Sequence, residues 1–278
     1  MKRPFCIPAI LLCLFFTACN AVKLGQNALA PRDFSISPGQ SITVAIDSGT
    51  VNISQAKNSQ LQLSGVLPDS KSIYYKTSLE TDGVHIVESE AGNPIFQSQA
   101  APIELNLAAP AGVLIKITDY DANINVQGYR GQVNITTVAG DILADHVSGS
   151  LSLISNRGNV TVENSNGEIH LDGNYGQLSL LNSAGVIHAT TIVGSINFRG
   201  KIEDEDNVSL ETDHGPIGIQ IDSGSNASVQ INTTSGVVVC SMTGIHYEGQ
   251  KCGGTLGRGQ GKLLVRTVSG TVTLGPIL

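Results

Sequence analysis

A nine-residue glycine repeat constrains this chain more than any other feature of its sequence. Eight glycines stand at equal spacing: Gly131, Gly140, Gly149, Gly158, Gly167, Gly176, Gly185 and Gly194. Each begins the phrase Gly-x-apolar-x-apolar, which is followed by four mostly polar residues. Repetition at a fixed period is typical of solenoids, in which one short unit is stacked many times. The repeat therefore indicates an architecture, and it supplies no set of reactive groups.

Apolar and polar residues alternate within each unit, which indicates one short strand per unit. In the unit from Gly158, Val160 and Val162 are predicted to face inward, because alternate strand residues share a face. A lone strand cannot bury its apolar side, whereas stacked parallel strands enclose a shared interior. We predict an all-β chain in which residues 111–278 form a single-stranded parallel β-helix, or β-solenoid. Two units per coil would double the nine-residue period, and both two-sheet and three-sheet coils are compatible with the repeat. A β-sandwich of hairpins is the alternative fold.

The region before the repeats also reads as β structure but is less regular. Residues 33–110 contain alternating segments such as Gln60-Leu-Gln-Leu and Ile103-Glu-Leu-Asn-Leu. Tryptophan is absent, aromatic residues make up 4% of the chain, and helical periodicity is missing. We therefore predict an N-terminal β region that caps the solenoid.

Residues 1–18 have the layout of a secretory signal peptide. Lys2 and Arg3 precede an apolar run over residues 5–16, and small residues precede Cys19. This run is shorter than the roughly 20 residues of a membrane-spanning helix. Residues 16–19, Phe-Thr-Ala-Cys, resemble the lipobox of bacterial lipoproteins, which implies cleavage before Cys19 and acylation of its sulfur and new amino group. Asn20 replaces the Asp that implies inner-membrane retention, so we expect an outer-membrane lipid anchor with residues 19–32 as a tether. An ordinary cleaved signal is the alternative.

Charge and cysteine content narrow the possible partners and the compartment. Without residues 1–18 the chain carries 14 basic and 23 acidic residues, a formal charge of −9. An acidic chain without a basic stripe is not expected to bind nucleic acid. Besides Cys19, this part of the chain contains Cys240 and Cys252. Two cysteines in an exported protein are candidates for one disulfide, and two unpaired buried thiols are the alternative.

Three segments resemble a known family. They are the run from Gly131 to Gly194, the Pro110-Ala-Gly that follows the Ile-Glu-Leu-Asn-Leu strand, and the closing Thr267-Val-Ser-Gly-Thr-Val-Thr-Leu. Together they resemble the adhesin-like family of DUF4097 and DUF2807 domains, over roughly residues 34–278. The resemblance implies a bacterial single-stranded parallel β-helix, often tethered to a membrane. It implies no established activity and no signature catalytic residue.

Candidate sites for chemistry are weak. Neither HExxH nor GxSxG occurs in the sequence, and we predict no catalytic residue. His170 and His188 occupy the same slot in their units and are predicted to stack on the outer face in a column with Asn134 and Ser152. Two imidazoles are too few ligands for a stable zinc site, so they are weak metal candidates and we expect no metal or cofactor. The four acids at residues 203–206 are predicted to form a solvated loop.

These observations favour a non-enzymatic, lipid-anchored, adhesin-like or scaffold protein of the bacterial envelope. Its outward Asn, Ser and Thr residues are expected to make many weak hydrogen bonds to a protein or glycan. One alternative is a polysaccharide-cleaving β-helix enzyme that uses paired carboxylates. Another is an envelope sensor or assembly partner that adds a strand to an exposed terminal coil near residues 270–278.

Overall fold

The computed structural model describes residues 26–37, 39–68, 73–90 and 102–277. The predicted signal peptide and Cys19 lie outside these residues. The N-terminal strands are β1 (Gln26–Ser35), β2 (Ser41–Gln55), β3 (Gln60–Pro68), β4 (Ile73–Glu80), β5 (Gly83–Glu90), β6 (Ile103–Ala109) and β7 (Leu114–Gln127). The described residues contain no helix with the length and apolar character needed to span a membrane.

The glycine repeats form shorter strands. They are β8 (Arg130–Thr137), β9 (Ile142–Asp145), β10 (Ser148–Ser155), β11 (Val160–Glu163), β12 (Asn166–Gly173), β13 (Gln177–Leu181), β14 (Ala184–Thr191), β15 (Ser195–Gly200), β16 (Asn207–His214) and β17 (Ile217–Ile221). The C-terminal strands are β18 (Ala227–Thr233), β19 (Val237–Cys240), β20 (Ile245–Glu248), β21 (Lys251–Thr255), β22 (Gly261–Ser269) and β23 (Thr271–Pro276).

The strands lie in two ladders. Each coil contributes one strand to each ladder. The first ladder contains, in spatial order, β4, β5, the N-terminal halves of β2 and β7, β8, β10, β12, β14, β16, β22, β18, β21 and β20. The second ladder contains β1, β3, β6, the C-terminal halves of β2 and β7, β9, β11, β13, β15, β17, β23 and β19.

Neighbouring coils pair in parallel, and each repeat strand pairs with the strand two units away. Val133 pairs with Leu151 in the first ladder, and Ile142 pairs with Val160 in the second. Two nine-residue units therefore make one coil. Each coil of the repeat region has two strands, so the two-sheet form of the solenoid is the one observed. The β-solenoid is confirmed, and the hairpin sandwich is wrong for the repeats.

The inward apolar residues form one continuous core along the stack. Val160 and Val162 have no exposed surface, and Ile169, Leu178 and Ile187 are buried equally well. Burial of a side chain of this size contributes about 1.5–3 kcal/mol to folding. The same apolar column thus holds successive coils together, and the inward face predicted for the repeats is confirmed.

A column of buried hydroxyl groups lies where the first-ladder strands end. Its members are Thr137, Ser155, Thr191, Thr212, Thr267 and Thr233. Thr137 Oγ1 accepts a hydrogen bond of 3.1 Å from the Gly140 N–H, and Ser155 Oγ accepts one of 2.9 Å from the Gly158 N–H. Thr233 Oγ1 accepts a similar hydrogen bond of 2.9 Å from the Gly236 N–H. These three hydroxyls satisfy donors that would otherwise be costly to bury, whereas Thr191 Oγ1 and Thr267 Oγ1 have no hydrogen-bond partner among the described residues.

At both ends of the stack the spatial order departs from the order in the sequence. Strand β2 lies between β7 and the pair β5 and β6. Strands β22 and β23 lie between the β16–β17 coil and the β18–β19 coil. The assembly-partner alternative requires an exposed terminal coil near residues 270–278, but β23 is paired on both sides. After the hairpin of β20 and β21 the chain turns back and inserts its last strands into the sheet.

Two predicted boundaries change at the N-terminal end. Strand β1 begins at Gln26, so residues 26–32 of the predicted tether belong to the sheet, where β1 pairs with β3. Residues 33–110 do not form a separate sheet, because β2 pairs along its length with β7 in both ladders. Pro31 lies at a bulge of β1 between Leu29 and Arg32. Proline and bulges limit the pairing of an edge strand with a further strand.

Candidate binding surfaces

The outward face of the first ladder carries the predicted polar column. Asn134, Ser152, His170 and His188 occupy paired positions on β8, β10, β12 and β14, and Ser209 continues the column on β16. Both histidines are exposed, and the other three side chains are half-buried. Neighbouring strands lie about 4.8 Å apart, so the column presents polar groups at a regular spacing.

The two histidines are adjacent, but among the described residues no Asp, Glu or Cys joins them as a third ligand within 4.8 Å. Glu168 and Asp172 share the outward face of β12 with His170. Asp172 Oδ1 accepts a hydrogen bond of 3.3 Å from Thr190 Oγ1. In the part of the chain that the structure describes, three ligand groups within 4.8 Å of one another occur instead at Glu80, Asp82 and His85.

The Glu80, Asp82 and His85 group lies at the turn between β4 and β5. His85 Nε2 and Asp82 Oδ1 are 2.8 Å apart, and this hydrogen bond is the main reason why the pKa of Asp82 is lowered. The Asp82 side chain is 65% exposed. A solvated pair of this kind contributes little to stability. Its geometry is that of a turn held by an Asp–His contact.

A groove runs across the first ladder next to the polar column. We name it the first-ladder groove, and its volume is about 500 Å³. Its floor follows one register column through Asp172, Thr190, Glu211, Arg266 and Asn232. The exposed apolar side chains of Ile192 and Val268 lie at its rim. This mixture of hydrogen-bonding and apolar groups suits contact with a polar partner.

The carboxylates of this groove bear on the enzymatic alternative. Asp172 and Glu211 are two ladder steps apart, a backbone separation of about 9.6 Å. Retaining glycosidases need carboxyl groups about 5–5.5 Å apart, and inverting ones about 6.5–9.5 Å. Thr190 contacts Asp172, and Arg266 Nη1 lies 3.9 Å from Glu211 Oε1. Asp213, two positions after Glu211, is a third acid in the lining of this groove.

The two predicted disulfide partners are joined at the C-terminal end of the stack. Cys240 ends β19 in the second ladder, and Cys252 lies in β21 of the first ladder. Their Cα atoms are 6.7 Å apart, and 12 positions separate them in sequence. The bond ties the last second-ladder strand to the hairpin that closes the first ladder.

The acidic loop at residues 203–206 contacts the rest of the protein, whereas the sequence predicts a solvated loop. Glu203 pairs with Lys201 at 2.6 Å, and Asp204 pairs with Arg258. Asp206 is 8% exposed and accepts hydrogen bonds of 2.7 Å from the N–H groups of Gly185 and Glu203. Here three residues are added to the coil, because Val186 pairs with Asn207. The three extra residues form a loop in which the buried Asp206 carboxylate accepts hydrogen bonds from the main chain.

Sequence reasoning missed a set of buried acids at the N-terminal end. Asp119, Asp47 and Glu88 are all buried. Burial is the main cause that raises the pKa of Asp119 to about 6, although its Oδ1 accepts hydrogen bonds from Thr137 Oγ1 at 2.6 Å and the Ala122 N–H at 3.0 Å. Asp119 pairs in register with Thr137, so it extends the hydroxyl column. The available signal was the Thr/Ser-x-x-Gly pattern of alternate units. Asp119 lies two units before Thr137 and so takes the Thr/Ser position, although Ala122 stands where the later units have Gly.

The architecture and the polar face define the chain as a β-solenoid with extended lateral surfaces. The chain belongs to the Toastrack DUF4097 family, whose model matches residues 39–275. None of the curated proteins that were compared matches the chain.

Solved structures of similar extent share little sequence with this chain. A candidate adhesin from Parabacteroides merdae is 12% identical, with 91% of this chain and 97% of that chain covered and a TM-score of 0.42. A candidate lipid-binding protein from Parabacteroides distasonis is 11% identical, with coverages of 91% and 98% and a TM-score of 0.41. A candidate cell adhesion protein from Clostridium sporogenes is 11% identical, with coverages of 89% and 99% and a TM-score of 0.29. With TM-scores below 0.5, these structures add nothing to the family assignment.

Proposed function

We propose that this protein is a non-enzymatic, lipid-anchored, adhesin-like component of the bacterial envelope. In this proposal the outward face of the first ladder contacts a protein or glycan partner. The observation that carries it is the unbroken polar column of Asn134, Ser152, His170, His188 and Ser209, which lies beside the first-ladder groove.

The solenoid supports such a role because it holds weak contacts in fixed positions. Each outward side chain stands on a strand that is paired on both sides, so little entropy is lost when a partner binds. Single hydrogen bonds of this kind are weak, but a partner with repeated groups would engage several at once.

The anchoring part of the proposal depends on Cys19, which lies outside the described residues. Two or three acyl chains on this residue would hold the protein firmly on the membrane. Replacement Cys19→Ser should move the protein from the membrane fraction to the soluble periplasmic fraction in cell fractionation. Retention of the variant in the outer-membrane fraction would contradict the anchor.

The contact surface is tested by two matched substitutions. Ser152→Arg places a bulky cation in the first-ladder column, and Thr161→Arg places the same group on the outward face of the second ladder. Binding of immobilised envelope fragments from the producing cells should fall at least about tenfold for Ser152→Arg, because a misplaced charge costs a few kcal/mol. It should stay close to wild type for Thr161→Arg. Equal binding by both variants would refute the assignment of this face.

A further inference from the structure

The second ladder carries a groove of its own near the C-terminal end. We name it the second-ladder groove; it has a volume of about 540 Å³ and crosses β15, β17, β23 and β19. Asn197, Gly218, Thr273 and Val239 form one outward column of its lining. The next column contains Arg199, Gln220 and Gly275.

Two glycines leave the floor of this groove without side chains. Gly218 lies within β17 and Gly275 within β23, and neither has a positive φ. A Cβ atom at Gly218 would lie 3.0 Å from Asn197 Oδ1 and 3.9 Å from Thr273 Oγ1. A side chain there would fill the groove and would not strike the backbone. Because glycine weakens a strand interior, its presence marks a place where another molecule can approach the sheet closely.

The charge of the groove is opposite to that of the protein. Its lining contains Arg199 and no Asp or Glu, whereas the whole chain has a formal charge of −7. The Arg199 guanidinium makes no hydrogen bond and no ion pair with any side chain among the described residues. Asn197, Gln220 and Thr273 add neutral donors and acceptors to the same lining. The groove therefore complements a ligand that carries one negative charge and several hydroxyl groups.

We infer that the second-ladder groove binds a carboxylate-bearing sugar unit of an acidic glycan. The planar guanidinium of Arg199 binds a carboxylate through two parallel hydrogen bonds. The amides of Asn197 and Gln220 match vicinal sugar hydroxyls, and the bare floor at Gly218 admits a pyranose ring. The exposed Val239 offers an apolar contact to the C–H face of the ring.

The pairing of the floor strands argues against a peptide in the same groove. Peptides that bind sheets gain affinity from main-chain hydrogen bonds at a free edge. Strand β17 is paired with β15 and β23, and β23 is paired with β17 and β19. The main-chain groups of these two floor strands are therefore already used, and recognition over Gly218 and Gly275 depends on side chains. Strand β19 ends the ladder and, among the described strands, is paired in register with β23 alone. A saccharide suits this condition better than an extended peptide.

The site is on a different ladder from the surface of the proposed function, so the two fail separately. Calorimetric titration of the purified soluble chain, residues 20–278, with a short oligogalacturonate measures this binding. The same oligomer with its carboxylates reduced to alcohols is the ligand control. We expect the reduced oligomer to bind at least about tenfold more weakly, since a charge-assisted hydrogen bond is lost.

Three variants locate the site. Arg199→Gln and Gly218→Thr should each weaken oligogalacturonate binding at least about tenfold. Arg157→Gln, an exposed arginine at another corner, should leave it unchanged. Gly218→Thr should also leave the melting temperature close to that of the wild type, because threonine favours strands and the atom nearest to the new Cβ, Asn197 Oδ1 at 3.0 Å, ends a side chain that can turn aside. Binding that is insensitive to both groove variants would overturn the proposal, as would variant-sensitive binding of polyglutamate without binding of oligogalacturonate.

Discussion

The eight repeat glycines have two different structural roles, although they occupy equivalent positions in the sequence repeat. Gly167 has a φ of +124° and a Cβ there would lie 2.0 Å from the carbonyl oxygen of Gly149. Gly158 has no positive φ, but a Cβ there would lie 1.9 Å from the carbonyl oxygen of Gly140. Glycine is thus required at one corner for backbone conformation and close approach, and at the other for close approach alone. The true repeat is therefore a pair of unlike units.

At the residue scale, the sequence predicts inward residues well and buried polar residues poorly. The alternation around Val160 is enough to assign a face, because one side of each strand must be apolar. Thr137 and Asp119 look like ordinary surface residues in a nine-residue unit. Their burial depends on the corner between two strands, which appears only when two successive units are taken together as one coil.

Asp119 makes stability depend on pH. Its pKa is about 6 in the folded chain and 3.8 is its usual value, so the folded state binds the proton more tightly. The stability that this proton contributes is complete below about pH 4 and is lost as the pH rises through about 6. A shift of this size corresponds to on the order of 3 kcal/mol. Its Oδ2 has no hydrogen-bond partner among the described residues, which agrees with a costly buried charge.

Asp119→Asn should remove this dependence while the amide oxygen keeps the contacts to Thr137 and Ala122. Urea unfolding of both proteins from pH 4 to pH 7 measures the effect. We expect the stability of the variant relative to wild type to rise by up to about 3 kcal/mol across this range. A difference that is constant with pH would show that Asp119 does not titrate in this window.

At the scale of elements, the sequence predicts which strands pair within the repeats but not which strands pair at the two ends of the stack. Strands β8 to β17 pair with the strand one coil away, which follows from the doubled nine-residue spacing. The insertion of β22 between β16 and β18 brings together segments that are far apart in the chain. No local pattern predicts it, because the apolar alternation of β22 would fit any position in the first ladder.

The disulfide is predicted to stabilise the C-terminal end. Closing a loop of about this length contributes roughly 3 kcal/mol in the chain-entropy model. The double variant Cys240→Ala and Cys252→Ala should therefore lower the free energy of unfolding by roughly 2–3 kcal/mol in denaturant titration. A reducing agent should destabilise the wild type to a similar extent and leave the variant unaffected. Identical stability of the two proteins without reductant would mean that the bond makes no contribution.

At the scale of the whole molecule, the two unlike nine-residue units of each coil lie in different ladders, so the two outer faces of the stack differ. The first ladder presents the polar column and a groove with carboxylates, and the second presents a groove whose charge comes from Arg199. Both faces depend on the coil keeping its two-unit length, because a shift by one unit would place each strand in the other ladder. The family and the solenoid were predictable from the repeat, whereas the grooves arise where strands from distant segments lie side by side.

Deletion of one coil tests this account most directly. Removing residues 148–165 joins Val147 to Asn166, which pairs with Ser148 in the intact protein, so every remaining strand keeps its ladder. Removing residues 148–156 takes out a single unit and moves all later strands into the wrong ladder. Thermal unfolding followed by circular dichroism should show a cooperative, folded protein for the two-unit deletion and loss of the cooperative transition for the one-unit deletion. A folded one-unit deletion, or an unfolded two-unit one, would contradict the two-strand coil on which both proposed surfaces depend.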